Sequence, residues 1–215
     1  NEDNIFPEKG NSTSKDKLFI VCDGVGGSEK GEIASEIACN SFSKYFTDNK
    51  EKVTDSEYMD NALIFVEDEF DKYFENNSDA KGMGTTLTLL HFNDAGATVV
   101  HCGDSRVYQL RGGKIIHKTN DHSYLNYMVE SGAMSAEEAE NHPKKNVILR
   151  AIQGSSVKKT ELETQIISDI LEEDYFFLCT DGILESITDD LLEVYNLSIK
   201  TRVQTDIIDI EKQAI

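Results

Sequence analysis

Three apolar runs of this 215-residue chain end alike: FIVCDG finishes on Asp23, ATVVHCGD on Asp104 and FFLCTDG on Asp181. Each delivers a carboxylate beside a glycine at the end of a buried strand. A fourth acidic site, Glu2 and Asp3 of NEDN, precedes the first run. A lone Asp-Gly is ordinarily a turn, but three such endings in one chain point to a shared site. Carboxylates about 4 Å apart repel by roughly 4 kcal/mol at an effective dielectric near 20, so a convergent set needs protons or cations. Oxygen donors with no His or Cys among them suit Mg2+ or Mn2+ rather than zinc. Glycine next to Asp23 lets the backbone turn sharply and brings the Gly24 carbonyl within ligand reach.

The glycines after Asp23 also raise the question of a phosphate-binding loop. Gly26 to Gly31 has Walker A spacing, but Glu32 stands where the lysine belongs. Gly24 and Gly26 begin a dinucleotide fingerprint that fails at Glu29, where the third glycine should be. The nucleotide readings fail on spacing.

The elements that must position the acids follow from periodicity. Residues 19–22 read as a buried strand, and 29–46 and 57–74 as amphipathic helices with apolar residues at spacings of three and four. The runs 85–92, 97–102, 106–110 and 114–117 form an antiparallel meander, with Arg111, Gly112 and Gly113 as a hairpin turn. Residues 123–132 read as a helix stopped by Gly132, and Ser135 with Glu138 has capping-box spacing. Strands recur at 161–168 and 175–179, Thr188 caps a short helix, and 203–215 has a helical pattern. Helices and strands come in blocks, which favours an α+β fold in one domain.

Forty Asp plus Glu against 21 Lys plus Arg give a net charge of -19, which disfavours nucleic acid and anionic membranes as partners. Cys22, Cys39, Cys102 and Cys179 are widely spaced, so neither disulfides nor a zinc knuckle is expected, and a cytoplasmic location fits best. No run approaches the ~18 apolar residues of a membrane span.

NEDN, VCDGVGG, GMGTTL, HCGDSRVY, TNDHS and LCTDGILE, in that order, resemble the metal-dependent protein phosphatase family of the protein phosphatase 2C type, over residues 1 to about 192. Segment 123–154 resembles the flap of bacterial members. The resemblance implies a four-layer α/β/β/α sandwich of two antiparallel sheets flanked by helices. It implies that Asp23 bridges two divalent cations, Mn2+ or Mg2+, with Glu2 and the Gly24 carbonyl on one and Asp181 on the other. Asp104, with Asp181, would help hold a third. Asp3, Asp121 and His122 would support them from behind, His122 through a hydrogen bond with Asp121.

The implied activity is hydrolysis of phosphoserine and phosphothreonine in proteins by a metal-activated water, with a cognate kinase or its substrates as partners and a monomeric enzyme. The alternative is a pseudophosphatase that only binds phosphoproteins. Three features depart from the family pattern: family members usually carry a phosphate-binding arginine a few residues before the NED-like motif, and here the sequence starts at Asn1. Val25 stands where animal relatives carry a histidine able to protonate the leaving group, and no Asp-Asn pair follows Cys179 to complete the first metal site. The chain is accordingly expected to be incomplete at both ends. Arg106 and Arg150 are expected as buried partners of acids, and Thr85 and Thr86 as strand packing.

Overall fold

The computed structural model describes residues 2–25, 30–140 and 142–198. The helical pattern at 203–215 and the glycines Gly26 and Gly27 lie outside them. Two antiparallel sheets stand face to face. The first runs β1 (Asp3–Phe6), β2 (Leu18–Val25), β4 (Leu87–Asn93), β5 (Gly96–Cys102), β8 (Glu163–Ile167), with the short β3 (Gly84–Thr85) also paired to β2. The second runs β7 (Lys114–Lys118), β6 (Arg106–Arg111), β9 (Tyr175–Cys179).

Alternation along the strands sorts side chains into three cores. Leu18, Ile20 and Cys22 of β2 point one way and pack with Ala38 and Phe42 of α1 (Lys30–Asp48) and with Met59, Val66 and Phe70 of α2 (Ser56–Asn76). Phe19 points the other way, into the layer between the sheets, where it meets Leu90, Val99, Val107 and Phe176. The outer face of the second sheet, Tyr108, Leu110, Phe177 and Cys179, is covered by Ile187 and by Leu192 of α6 (Asp189–Ser198). This is the expected four-layer sandwich.

Several local expectations appear in detail. Gly112 and Gly113 both take positive φ, 56° and 79°, as a tight hairpin joining twisted strands requires. Ser135 and Glu138 close a reciprocal box, at 2.9 and 3.2 Å, ahead of α4 (Ala136–Glu140). Ser123 caps α3 (Tyr124–Glu130). The predicted run 85–92 is broken at Thr86, whose backbone turns aside to bond Asp23. Periodicity identified neither β1 nor α5 (Asp181–Leu184), both only four residues long.

The topology explains why the acids meet. β2 and β5 flank β4 and are each antiparallel to it, so they run in the same direction and end at the same edge. Asp23 lies on the Phe19 face of β2, by the period of two, and therefore projects into the gap between the sheets where the apolar layer gives out. Asp181 follows β9 of the facing sheet into that gap. Segment 123–154 leaves the sandwich at Ser123, which bridges to Ile148, and returns at Ile152, which bridges to Thr85.

Candidate metal centre

Asp3 and Asp23 are partners across β1 and β2, and the Gly24 N–H donates to the Glu2 carbonyl at 3.0 Å. The Asp23 carboxyl hydrogen-bonds with both Asp3 and Asp181 and feels the charge of Asp104. The structure thus brings Glu2, Asp3, Asp23, Asp104 and Asp181 together. Burial, then the charges of Asp3, Asp181 and Asp104, push the Asp23 carboxyl up to about 8. Burial and Asp181 push Asp104 up to about 6, and Asp3 is raised chiefly by burial.

Such mutual repulsion is what hard divalent cations relieve, and the oxygen-only donor set fits them. The guanidinium whose charge reaches Asp104 is already engaged: Arg106 gives two 2.6 Å bonds to Asp121, and its third nitrogen bonds the Tyr108 hydroxyl at 3.1 Å. Asp121 therefore holds Arg106 rather than His122.

The support around the acids is largely polar backbone work. The Asp23 carbonyl accepts from the Thr86 N–H at 2.8 Å and the Thr85 hydroxyl at 2.9 Å. The Asp23 N–H donates to Thr86 Oγ1 at 3.0 Å, and that oxygen lies 2.7 Å from Ser105 Oγ. Both threonines are buried, but only Thr85 lies in a strand, as expected; Thr86 sits in the break between β3 and β4, and together they fix Asp23 to the residue after Asp104. Thr86→Val keeps the shape but strands a partly buried N–H. It should cost ~1–3 kcal/mol of stability and weaken Mn2+ binding about tenfold, checked by thermal melting and titration calorimetry.

Two glycines are required by close approach. A Cβ on Gly24 would lie 2.1 Å from the Gly31 carbonyl oxygen at the start of α1, and one on Gly31 would lie 2.6 Å from Glu2 Oε2. Gly24 is thus needed where β2 passes the helix, in addition to any ligand role of its carbonyl. Gly103 has φ 103°, and its Cβ would strike the Thr86 side chain at 2.7 Å. Only glycine makes the turn that presents Asp104.

His122 holds that turn from the other side. Its N–H donates to the Gly103 carbonyl at 2.7 Å, and its Nδ1 accepts from the Gly103 N–H at 3.3 Å. Its Nε2 lies 3.2 Å from Glu163 Oε2, and its ring stacks on His101 at 4.4 Å and 16°. Sequence reasoning missed His101 and Glu163; they pair across β5 and β8, 62 positions apart. These three residues have the donor types of a zinc site. The geometry argues otherwise. Lone pairs of two stacked imidazoles lie in parallel planes, so one ion would sit off both axes, and the Gly103 N–H on Nδ1 leaves the proton on Nε2. The trio is a brace: His122 hydrogen-bonds Glu163 and stacks on His101, whose Nε2 bonds the Asn120 carbonyl at 2.7 Å. Arg150, expected buried beside an acid, is exposed, with Nη1 3.4 Å from His122 Nε2.

The sequence profile of the family described as Protein phosphatase 2C matches residues 1–205. The serine/threonine phosphatase Stp of Listeria monocytogenes is 32% identical over 198 residues, covering 90% of this chain and 76% of that protein. Among solved structures, the serine/threonine phosphatase of S. agalactiae is similar with a TM-score of 0.74 at 28% identity, over 94% of this chain and 82% of that one. The catalytic domain of the serine/threonine protein phosphatase PstP in complex with two manganese ions gives 0.66 at 28%, over 92% and 83%. With its acids, glycines and two-sheet frame in place, the chain belongs to the protein phosphatase 2C family.

Proposed function

We propose that the chain is a Mn2+- or Mg2+-dependent phosphatase of phosphoserine and phosphothreonine proteins. The observation that carries this reading is the convergence of Asp3, Asp23, Asp104 and Asp181, in which burial and mutual repulsion raise the carboxyls of Asp3, Asp23 and Asp104 above their ordinary range. Asp23 and Asp181, with Glu2 and the Gly24 carbonyl, would hold two cations, and Asp104 with Asp181 a third. Bound cations supply a water ionised near neutral pH and neutralise charge on the phosphoryl oxygens. Asp23 stands between Asp3 and Asp181 and fixes their spacing, while Thr86 and His122 hold the turns that carry Asp23 and Asp104. Val25 has no proton to give, so the leaving oxygen takes its proton from solvent or from another group.

Retention of the acids supports catalysis over a purely binding role. The two manganese ions bound to PstP, and the name serine/threonine phosphatase carried by Stp, support the cofactor and the substrate class. A cytoplasmic location and a cognate kinase as counterpart fit this reading. All four cysteines are free and buried, and no described helix is long and apolar enough to cross a membrane.

The test is phosphate release from a phosphothreonine peptide and from p-nitrophenyl phosphate. Both should require Mn2+ or Mg2+, stop with a chelator and recover when metal is restored. No turnover of either with saturating metal would overturn the reading, and selective turnover of ATP or GTP would replace it with a nucleotide hydrolase.

A further inference from the structure

Residues 142–160, HPKKNVILRAIQGSSVKKT, hold five Lys or Arg and no Asp or Glu, in a chain of net charge -19. The fold brings this stretch to the metal centre. Ile152 pairs with Thr85, whose hydroxyl bonds the Asp23 carbonyl. The Leu149 N–H donates at 2.7 Å to the carbonyl of His122, the residue that holds Gly103.

Lys144, Lys145, Arg150 and Lys158 are all exposed. Elsewhere Lys30, Lys44, Lys72, Arg111, Lys114 and Lys118 are each neutralised by an acid at 2.5–2.9 Å. Among the described residues these four have no such partner; Lys15, Lys17, Lys50, Lys52 and Lys81 have none either, but each of those lies within two residues of an Asp or Glu, which none of these four does. Lys144 Nζ lies 5.0 Å from the centre of the Tyr124 ring, and Lys158 Nζ lies 3.4 Å from the Leu149 carbonyl, one residue from Arg150. Arg150 Nη1 lies 3.4 Å from Nε2 of His122, beside the Gly103 turn that presents Asp104. Lys159 differs from these four, since its charge acts on Glu67 of α2.

We propose that this acid-free strip is the docking surface for residues flanking the phosphorylated one, and that it selects phosphoproteins with acidic side chains there. The inference rests on the phosphatase reading of the site. An acidic body repels an anionic substrate at long range, and unpaired cations at the rim of the site reverse the field where the flanking chain must lie. Single exposed ion pairs contribute little each. Selection therefore comes from several pairs acting together and is sensitive to salt.

The experiment compares two phosphothreonine peptides of equal length, one flanked by Asp and Glu and the other by Asn and Gln, with Mn2+ present. The acidic peptide should have a kcat/KM about tenfold higher at low salt, the sum of two or three exposed pairs. The preference should shrink as ionic strength rises toward about 0.5 M. Lys145→Glu with Lys158→Glu should reverse it, with p-nitrophenyl phosphate, which has no flanking residues, reporting on the metal centre in the same preparation. Equal rates on the two peptides in the unaltered chain, an unreversed preference in the variant, or equal losses on peptides and p-nitrophenyl phosphate would each overturn the proposal. Turnover of p-nitrophenyl phosphate without peptide discrimination sinks this inference alone. Absence of all turnover sinks the phosphatase reading and this inference with it.

Discussion

Asp23→Asn is expected to abolish metal-dependent phosphoester hydrolysis while leaving the chain folded and, without metal, at least as heat-resistant as the unaltered protein. The two halves of this result separate a ligand from a structural residue. With its carboxyl pushed up to about 8, Asp23 in the metal-free protein is mostly protonated at pH 7, where it bonds Asp3 and Asp181. An asparagine amide has the same shape, is neutral and can donate to both neighbours. It relieves repulsion without opening a cavity. It also has no anionic oxygen to offer a cation. Changes one shell out from a metal already cost 10–100-fold, so losing the central ligand should lower kcat/KM by more than about a hundredfold. Assays of p-nitrophenyl phosphate turnover over a Mn2+ titration, together with melting in chelator, check both halves. Metal-stimulated turnover close to that of the unaltered chain would remove Asp23 from the centre. A melting point well below it would make Asp23 structural.

Asp23, Asp104 and Asp181 were legible in the sequence because each closes an apolar run, and a charged residue there has nowhere to go except the rim of the core. The hairpin at Gly112 and Gly113 and the box of Ser135 and Glu138 were legible because their chemistry is local. The support was not legible. A threonine in a β-rich run reads as strand packing, and only the chain reversal at Thr86 shows that its hydroxyl holds the Asp23 backbone. His101 and Glu163 meet through strand pairing between distant segments, a contact with no periodic trace. Gly24 was read for what its carbonyl reaches. Its missing side chain matters as well, since β2 and α1 approach too closely for a Cβ. Arg150 was misjudged because charge type was read without its surroundings: the expected acid partner lies nowhere in its segment.

The largest pH effect should come from the same acids. A carboxyl whose folded pKa is raised holds its proton more tightly in the native state. Its stabilising contribution is present below the unfolded value of 3.8 and is lost as pH rises through the folded value. For Asp104 that loss passes through about 6, and for Asp23 through about 8. The metal-free chain should therefore lose stability steadily between about pH 4 and pH 8. Solvent screening in a half-buried site holds the loss to ~2–3 kcal/mol, a melting shift near 5–10 °C for a chain of this size. Cations must displace those protons to bind. Mn2+ affinity should rise with pH up to about 8, with close to one proton released per chain at pH 7 and nearer two below 6. Calorimetry in buffers of different ionisation enthalpy reads that number directly, and Asp23→Asn should remove the release at pH 7. Binding at pH 7 without proton release, or a flat metal-free melting profile from pH 5 to 8, would mean that the carboxylates are already ionised and apart. The convergence of Asp3, Asp23 and Asp181 would then no longer explain why this fold needs a cation.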